Sequence, residues 1–591
     1  MNRPAAAPWP SACLLACATL VAGCTSCLPR SEPAEPSGPV AQEIVLSEPP
    51  AAGEAGGLFG PSHPSLRATV EAIDHAAKDP LVKGLFLRFG GMKNGWATVA
   101  ELARAIARVR AAHKPVHCHF ENADNASYAL LAESCDRLSM TPAGYLDLVG
   151  LAAQVLYAEP LLDKLGVRAE VVRMGRFKNA ADPLVRADMP ETTREELGAL
   201  LDGLQGSLLD AVAGRIGGDR AAAQATIDQG PFDAIEARAA HLVDDVGFDD
   251  EAREHLREAA AVQQVDRVDL MPKREPLGVR AILEALGGKS ESRTPSEPHV
   301  ALVYVTGAII DGDEQKPDVA VSDPFVRELR RLADDRDVRA IVLRVDSPGG
   351  SALASDRMWH AVRRAAKRKP VFASLGDMAA SGGYYIASAA KRIYAEPVSL
   401  VGSIGVLAGK LDVGPLADRV GVRSVVLTRG AHAAWSSIFS PLDPSERAVL
   451  ERALRSSYYR FIRRVAAGRG ITREQVLAAA GGRVLTGAAG KTLHLVDDFG
   501  GLEDALDAAR SAGSVSADTP LSVWPRRSGL LDAIADATGD DHGRSQAAGA
   551  LEKLRALGPL TRPLVESAWL LPLLDGRPAI LAAAPYVVDI R

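Results

Sequence analysis

Short apolar runs alternate with segments of helical spacing along this chain. Val300-Ala-Leu-Val-Tyr-Val305 and Ala340-Ile-Val-Leu-Arg-Val345 are rich in β-branched residues and predict buried strands. Residues 356–367 carry helical spacing, and Pro370-Val-Phe-Ala-Ser-Leu375 reads as a third strand. Residues 440–470 predict a long helix with Leu450, Leu454, Tyr458 and Phe461 along one side and charges on the other. A matching helix is expected around 190–214. Strands alternating with helices imply an α/β fold, a parallel sheet with crossover helices.

The pattern occurs twice. Lys114-Pro115, Arg137, Pro142, Gly150, Gly166-Val167 and Gly175 lie 255 positions ahead of Lys369-Pro370, Arg392, Pro397, Gly405, Gly421-Val422 and Gly430. Upstream, Val82, Leu87 and Arg88 match Val338, Leu343 and Arg344 at an offset of 256; downstream, His241-Leu-Val-Asp-Asp245 matches His494-Leu-Val-Asp-Asp498 at 253. Solenoid repeats run to tens of residues, so this period is a duplicated domain. The expected organisation is 41–270 for the first copy, 271–298 (rich in Pro and Gly) for a linker, and 299–511 for the second copy. Residues 512–591 fall outside the repeat, and their apolar runs suggest a packed or oligomer-facing appendage.

The first 23 residues read as a signal peptide, with an apolar run too short to span a bilayer ending at Ala22-Gly23-Cys24. Leu-Val-Ala-Gly-Cys resembles a bacterial lipobox, which would make Cys24 a lipidated first residue, followed by a solvated tether over 24–40. This predicts a lipid-anchored protein of the bacterial cell envelope facing the periplasm. With 68 basic and 74 acidic residues, the chain lacks the basic surplus of a nucleic-acid binder. No cysteine spacing suits a metal, and no cofactor is implied. Cys118 and Cys135 could pair in an oxidising compartment, but buried free thiols are the expected state.

The differences between the copies carry the chemistry. Ser381, in Ala-Ala-Ser-Gly-Gly-Tyr, stands opposite Ala126; Lys178, in Gly-Arg-Phe-Lys-Asn, stands opposite Ala433. One half keeps a serine and the other a lysine, which reads as one active site shared across the duplication. Ser381 sits where a strand gives way to a helix, with Gly382 and Gly383 behind it. Asp346-Ser-Pro-Gly-Gly-Ser351 follows another strand, so the backbone amides of Gly350 and Gly382 are candidates for an oxyanion hole. A serine nucleophile needs a base. Lysine, with an ordinary pKa of ~10.4, serves only if burial lowers that value by several units. Phe177, Ala180 and Ala181 around Lys178 suit such a pocket, and His432 is the rival base.

These motifs resemble tandem domains of the ClpP/crotonase superfamily, and the whole resembles family S49 peptidases of the long, two-domain signal-peptide-peptidase type. The resemblance rests on Asp346–Ser351, on Gly376-Asp-Met-Ala-Ala-Ser-Gly-Gly-Tyr-Tyr385, on Gly402-Ser-Ile-Gly405 and on Gly175-Arg-Phe-Lys-Asn-Ala180, and covers most of 70–510. It implies Ser381 as nucleophile, Lys178 as general base and Ser403 as the hydroxyl that orients the lysine. It also implies a homo-oligomer, a tetramer in the family, acting on unfolded peptides such as spent signal peptides. Two departures stand out. A lipobox replaces the family's transmembrane anchor, and Phe89-Gly90-Gly91-Met92-Lys93-Asn94 replaces the Ser-Pro-Gly-Gly loop in the first copy. The alternatives are a non-catalytic duplicated scaffold that binds peptides, which would be expected to have lost a dyad member, and an acyl-CoA enzyme of crotonase type, which a secretion signal disfavours.

Overall fold

A computed structural model describes residues 38–53, 63–90, 95–271, 295, 297–316, 318–525, 581–583 and 589–590. The signal peptide, Cys24, the tether, most of the linker, and residues 91–94 of the altered loop lie outside the described residues.

Each half is built on a largely parallel sheet. In the first, the strands run in the order Phe232–Asp233, Arg137–Asp147, Val116–Asp124, Val82–Phe89, Val40–Leu46, Val265–Arg267. In the second, the order is Val484–Thr486, Leu400–Gly402, Val371–Ala380, Val338–Ser347, His299–Thr306, Ser522–Trp524. The two orders correspond strand for strand, so the fold is α/β with tandem duplicated domains. Ser522–Trp524, beyond the sequence repeat, completes the second sheet beside His299–Thr306.

The duplication extends to small interactions. Lys114 Nζ donates to the carbonyls of Ala76 and Asp79, and Lys369 Nζ donates to those of Leu332 and Asp335. Tyr128 Oη donates to Leu242 O at 2.8 Å, as Tyr384 Oη does to Leu495 O at 2.8 Å. His241 and His494 both turn the chain at φ 59°, which gives the repeated histidine a backbone role.

The long helices form as their patterns predict, over Glu191–Ile216 and Pro444–Arg469. The second opens with a capping box, Asp443 with Glu446, and closes at Gly470 in the left-handed region. Leu450, Leu454 and Phe461 are buried, and Tyr385 stacks on Phe461 with ring centroids 4.2 Å apart.

The free-thiol expectation is overturned: Cys118 and Cys135 form a disulfide, with Cα atoms 5.8 Å apart. Cys118 lies in Val116–Asp124, and the crossover helix Asn125–Ser134 returns the chain beside that strand, where Cys118 faces Leu138. Parallel-strand geometry thus closes a separation that sequence spacing left open.

Candidate active site

The lysine is positioned by a strand that crosses between halves. Arg168–Met174 belongs to the first copy, yet it pairs antiparallel with Val406–Asp412 of the second, from Arg168 opposite Asp412 to Met174 opposite Val406. Lys178 follows Met174 and Ser403 precedes Val406, at the same end of this ladder, so register brings them together.

A turn at Gly481-Gly482 clamps both segments. Phe177 N donates to Gly481 O at 2.7 Å, Ser403 N to Arg483 O at 2.7 Å, and Gly482 N to Ile404 O at 2.9 Å. A Cβ on Gly482 would lie 2.5 Å from Lys178 N, and one on Gly405 would lie 3.1 Å from Lys178 Cδ. Sequence reading had Gly405 in a motif but gave no role to Gly481 or Gly482; their adjacency ahead of a strand was the available signal.

Ser381 is delivered by a strand that changes partners. On one edge Val371–Ala380 pairs with Ile341–Val345 as far as Leu375 and again at Ala379, opposite Ser347. On the other edge Phe372–Ser374 pair with Arg392–Tyr394, after which Met378, Ala379 and Ala380 pair with Leu400, Val401 and Gly402. The strand expected to stop at Leu375 therefore runs on to Ala380, because a second partner takes over its hydrogen bonds. Ser381 then adopts φ 54°, ψ −110°, an uncommon conformation for a residue with a Cβ, before the helix Gly382–Ala387. Its N–H donates to Gly402 O at 2.7 Å, and its carbonyl accepts from Tyr385 N at 2.8 Å.

Lys178 Nζ lies 2.8 Å from Ser381 Oγ, 3.0 Å from Ser403 Oγ and 3.0 Å from Ser403 O. All three residues are fully buried. Burial pulls the lysine pKa down to about 7, and the buried Glu196 carboxylate opposes that shift. Glu196 is engaged elsewhere, accepting from Val484 N at 2.6 Å. A lysine neutral near physiological pH and in hydrogen-bond reach of a hydroxyl can accept its proton.

Gly350 has φ 156°, and a Cβ there would strike Ile309 O at 2.1 Å. Its strand, Gly349–Ser351, packs against the helix Gly382–Ala387, and a Cβ on Gly383 would come within 2.8 Å of Ser347 O. The elements carrying Gly350 and Gly382 are thus neighbours at Ser381. The carboxyl of Asp346, in the same motif, is pushed up to about 7 by burial and by the adjacent Asp377. Asp377 accepts from Ala97 N at 2.8 Å and Thr98 Oγ1 at 2.6 Å, tying the strand that leads to Ser381 to the first half.

One occupant of the site was not foreseen. Leu581–Ala583 runs antiparallel along Gly349–Ser351, with Ala582 opposite Gly350, and Leu581 also faces Leu407. Leu581 packs with Ala180, Ala181 and Leu407. The rival base, His432, is bonded instead to Ser445 Oγ at 3.2 Å on an exposed segment.

The description "Peptidase family S49" matches twice, over residues 108–263 and 363–516. The chain is 30 % identical over 464 residues to "Serine protease SPPA, chloroplastic" of Arabidopsis thaliana, covering 78 % of this chain and 67 % of that one. It is 31 % identical to "Protease 4" of Salmonella typhi (81 % and 78 % covered) and 29 % identical to "Protease 4" of Haemophilus influenzae (79 % and 76 %). Two family matches fall one on each half of the duplication, and long relatives align across both; the chain belongs to peptidase family S49 and is a serine peptidase.

Proposed function

We propose that the protein is a membrane-associated serine endopeptidase whose Ser381/Lys178 dyad degrades unfolded peptides such as cleaved signal peptides. The observation that carries this reading is the 2.8 Å contact between a wholly buried lysine and the serine hydroxyl. Neutral Lys178 takes the Ser381 proton as Oγ attacks the scissile carbonyl. The amides of Gly350 and Gly382 stabilise the oxyanion, and the resulting ammonium passes its proton to the departing amine. Water then releases the acyl group with Lys178 again as base. Ser403 holds Nζ through two oxygens and keeps it aimed at Ser381. An extended, unfolded substrate suits the site because Gly349–Ser351 already pairs with an extended backbone, Leu581–Ala583, whose place a substrate strand would take.

Membrane attachment is assigned to acyl chains on Cys24, with the catalytic halves in the periplasm of a bacterial envelope. Among the described residues no helix is long and apolar enough to cross a membrane.

The test is covalent labelling. A serine-directed fluorophosphonate should modify Ser381 in the native chain and fail to do so in Lys178→Ala. Equal labelling of the two proteins would remove the lysine from the mechanism.

A further inference from the structure

The comparison of copies that singles out Lys178 and Ser381 singles out one further pair. The offset of 253 aligns the helix Glu191–Ile216 with Pro444–Arg469 and His241 with His494. At that offset Glu196 stands opposite Val449, and Val484 stands opposite Pro231. Glu196 Oε1 accepts from Val484 N at 2.6 Å. Val449 has no acceptor in its side chain, and a proline has no N–H to give. Glu196 comes from the half that supplies Lys178, and Val484 from the half that supplies Ser381. Their counterparts can no more form this bond than Ala433 and Ala126 can form a dyad.

The bond sits where both reacting residues are held. Val484–Thr486 is the edge strand of its sheet and runs antiparallel to Leu400–Gly402, with Val484 opposite Gly402. Gly402 O accepts from Ser381 N at 2.7 Å. The next residue, Ser403, donates its own N–H to Arg483 O at 2.7 Å and holds Lys178 Nζ at 3.0 Å through both Oγ and O. Glu196 is buried, so its grip on this strand end is made in a dry interface, where a charged acceptor binds an N–H strongly. Its neighbour Glu195 acts at the surface. It bridges Arg483 at 2.6 Å and Arg176 at 3.0 Å, whose guanidinium carbons lie 3.9 Å and 5.0 Å from the centre of the Phe177 ring. Glu195 stands opposite Ala448 in the second copy.

We infer that Glu196 is a positioning residue for the reaction of Ser381 and Lys178: it fixes the end of Val484–Thr486, so that Gly402 and Ser403 keep the hydroxyl and the amine in contact. The inference deepens the peptidase reading and rests on the dyad proposed above. Glu196 has two separable effects. As an acceptor it sets geometry, which a glutamine in its place also does. As a charge it favours the ammonium form of Lys178. The other charged groups around this segment are paired among themselves, Arg173 with Asp182, and Arg176 and Arg483 with Glu195. Removing only the Glu196 charge therefore makes Lys178 easier to deprotonate and carries the rise in activity to lower pH.

The experiment measures kcat and KM for hydrolysis of an unfolded peptide across the pH rise, for the native full chain, Glu196→Gln and Glu196→Ala. Glu196→Gln should keep its alkaline-plateau kcat within about three-fold of native and move the rise to lower pH by at least ~0.5 unit. Glu196→Ala should lose at least ~10-fold in plateau kcat while KM changes less than about three-fold, because the hydroxyl–amine contact loosens and the substrate surface is untouched. A folded Glu196→Ala protein with native plateau kcat, its loss confined to melting temperature, would overturn the inference. So would a Glu196→Gln rise unmoved from the native pH, and that profile alone decides the matter if Glu196→Ala does not fold. The peptidase reading fails separately. Equal fluorophosphonate labelling of native and Lys178→Ala proteins removes the dyad, whereas Lys178-dependent labelling with native kinetics in both Glu196 variants removes this inference alone.

Discussion

Glu101 of the first half and Arg344 of the second form an ion pair of 2.5 Å, their side chains only 4 % and 2 % exposed. Arg344 also donates to Ser374 Oγ at 2.8 Å, and Glu101 accepts from Leu502 N at 2.9 Å. Burial raises the Glu101 pKa despite the guanidinium beside it. Arg88, which occupies the matching position in the first copy, is instead part-exposed, facing Glu121 and Asp249. The same repeat position thus holds a part-exposed arginine in one copy and an interdomain bolt in the other. Removing one partner strands the other charge in a dry interface, at a cost of about 3–5 kcal/mol. Glu101→Ala and Arg344→Ala should each lower the melting temperature, whereas Glu101→Leu/Arg344→Met should recover most of the loss. Scanning calorimetry of the four proteins decides this; additive losses would show that the pair is not coupled.

Ser381→Ala and Lys178→Ala should each reduce hydrolysis of an unfolded peptide by at least ~10³-fold while the proteins stay folded. Residues that act as one unit are non-additive, so the double variant should be little worse than either. His432→Ala should leave the rate within about two-fold. Activity retained in Lys178→Ala and abolished in His432→Ala would transfer the base role to the histidine.

Activity should rise through about pH 7 as Lys178 loses its proton. Ser403 Oγ accepts from Nζ and so favours the charged form; Ser403→Ala should move the rise to lower pH and reduce turnover. The same lysine makes a stability prediction. Its folded pKa lies below the unfolded value, so between roughly pH 7 and 10 the unfolded chain binds more protons and stability climbs with pH. Lys178→Met should therefore stabilise the protein most at or below pH 7, by a margin that narrows toward pH 10. Thermal melts across that range measure it.

The strand Leu581–Ala583 lies on the edge that an extended peptide would need. A chain ending at Leu574 should show a several-fold higher kcat/KM for unfolded peptides, and a synthetic peptide of residues 577–587 should inhibit it competitively. Lower activity on truncation would mean that the segment completes the site.

Cys24→Ala should move the protein from the membrane pellet to the soluble fraction with its peptidase activity intact, since each buried acyl methylene contributes ~0.8 kcal/mol of attachment. Retention in the pellet after a high-salt wash would locate the anchor elsewhere.

Much of this molecule was legible because duplication supplies its own alignment. The sequence offset set Lys178 and Ser381 against blank positions in the other copy, and buried apolar runs marked the central strands. The Cys118–Cys135 bridge was not legible, because a 17-residue separation is closed by strand adjacency that no local pattern encodes. Leu581–Ala583 was missed for a different reason: its placement rests on backbone pairing to a glycine edge, and backbone hydrogen bonds leave little trace in side-chain patterning. Gly482 could be understood only once Lys178 was seen pressing against it.

Lys178 and Ser381 are separated by 203 residues, and the clamp at Gly481-Gly482 comes later still. At a synthesis rate of about 5–20 residues per second, a growing chain holds the proposed base for tens of seconds before the proposed nucleophile and the clamp exist. The emerging polypeptide is the unfolded peptide nearest to this enzyme, and it passes through its most vulnerable period with no assembled catalyst. With the dyad proposed above, its split across the duplication would give the nascent chain the protection that a removable propeptide gives other proteases, written into the order of the residues themselves.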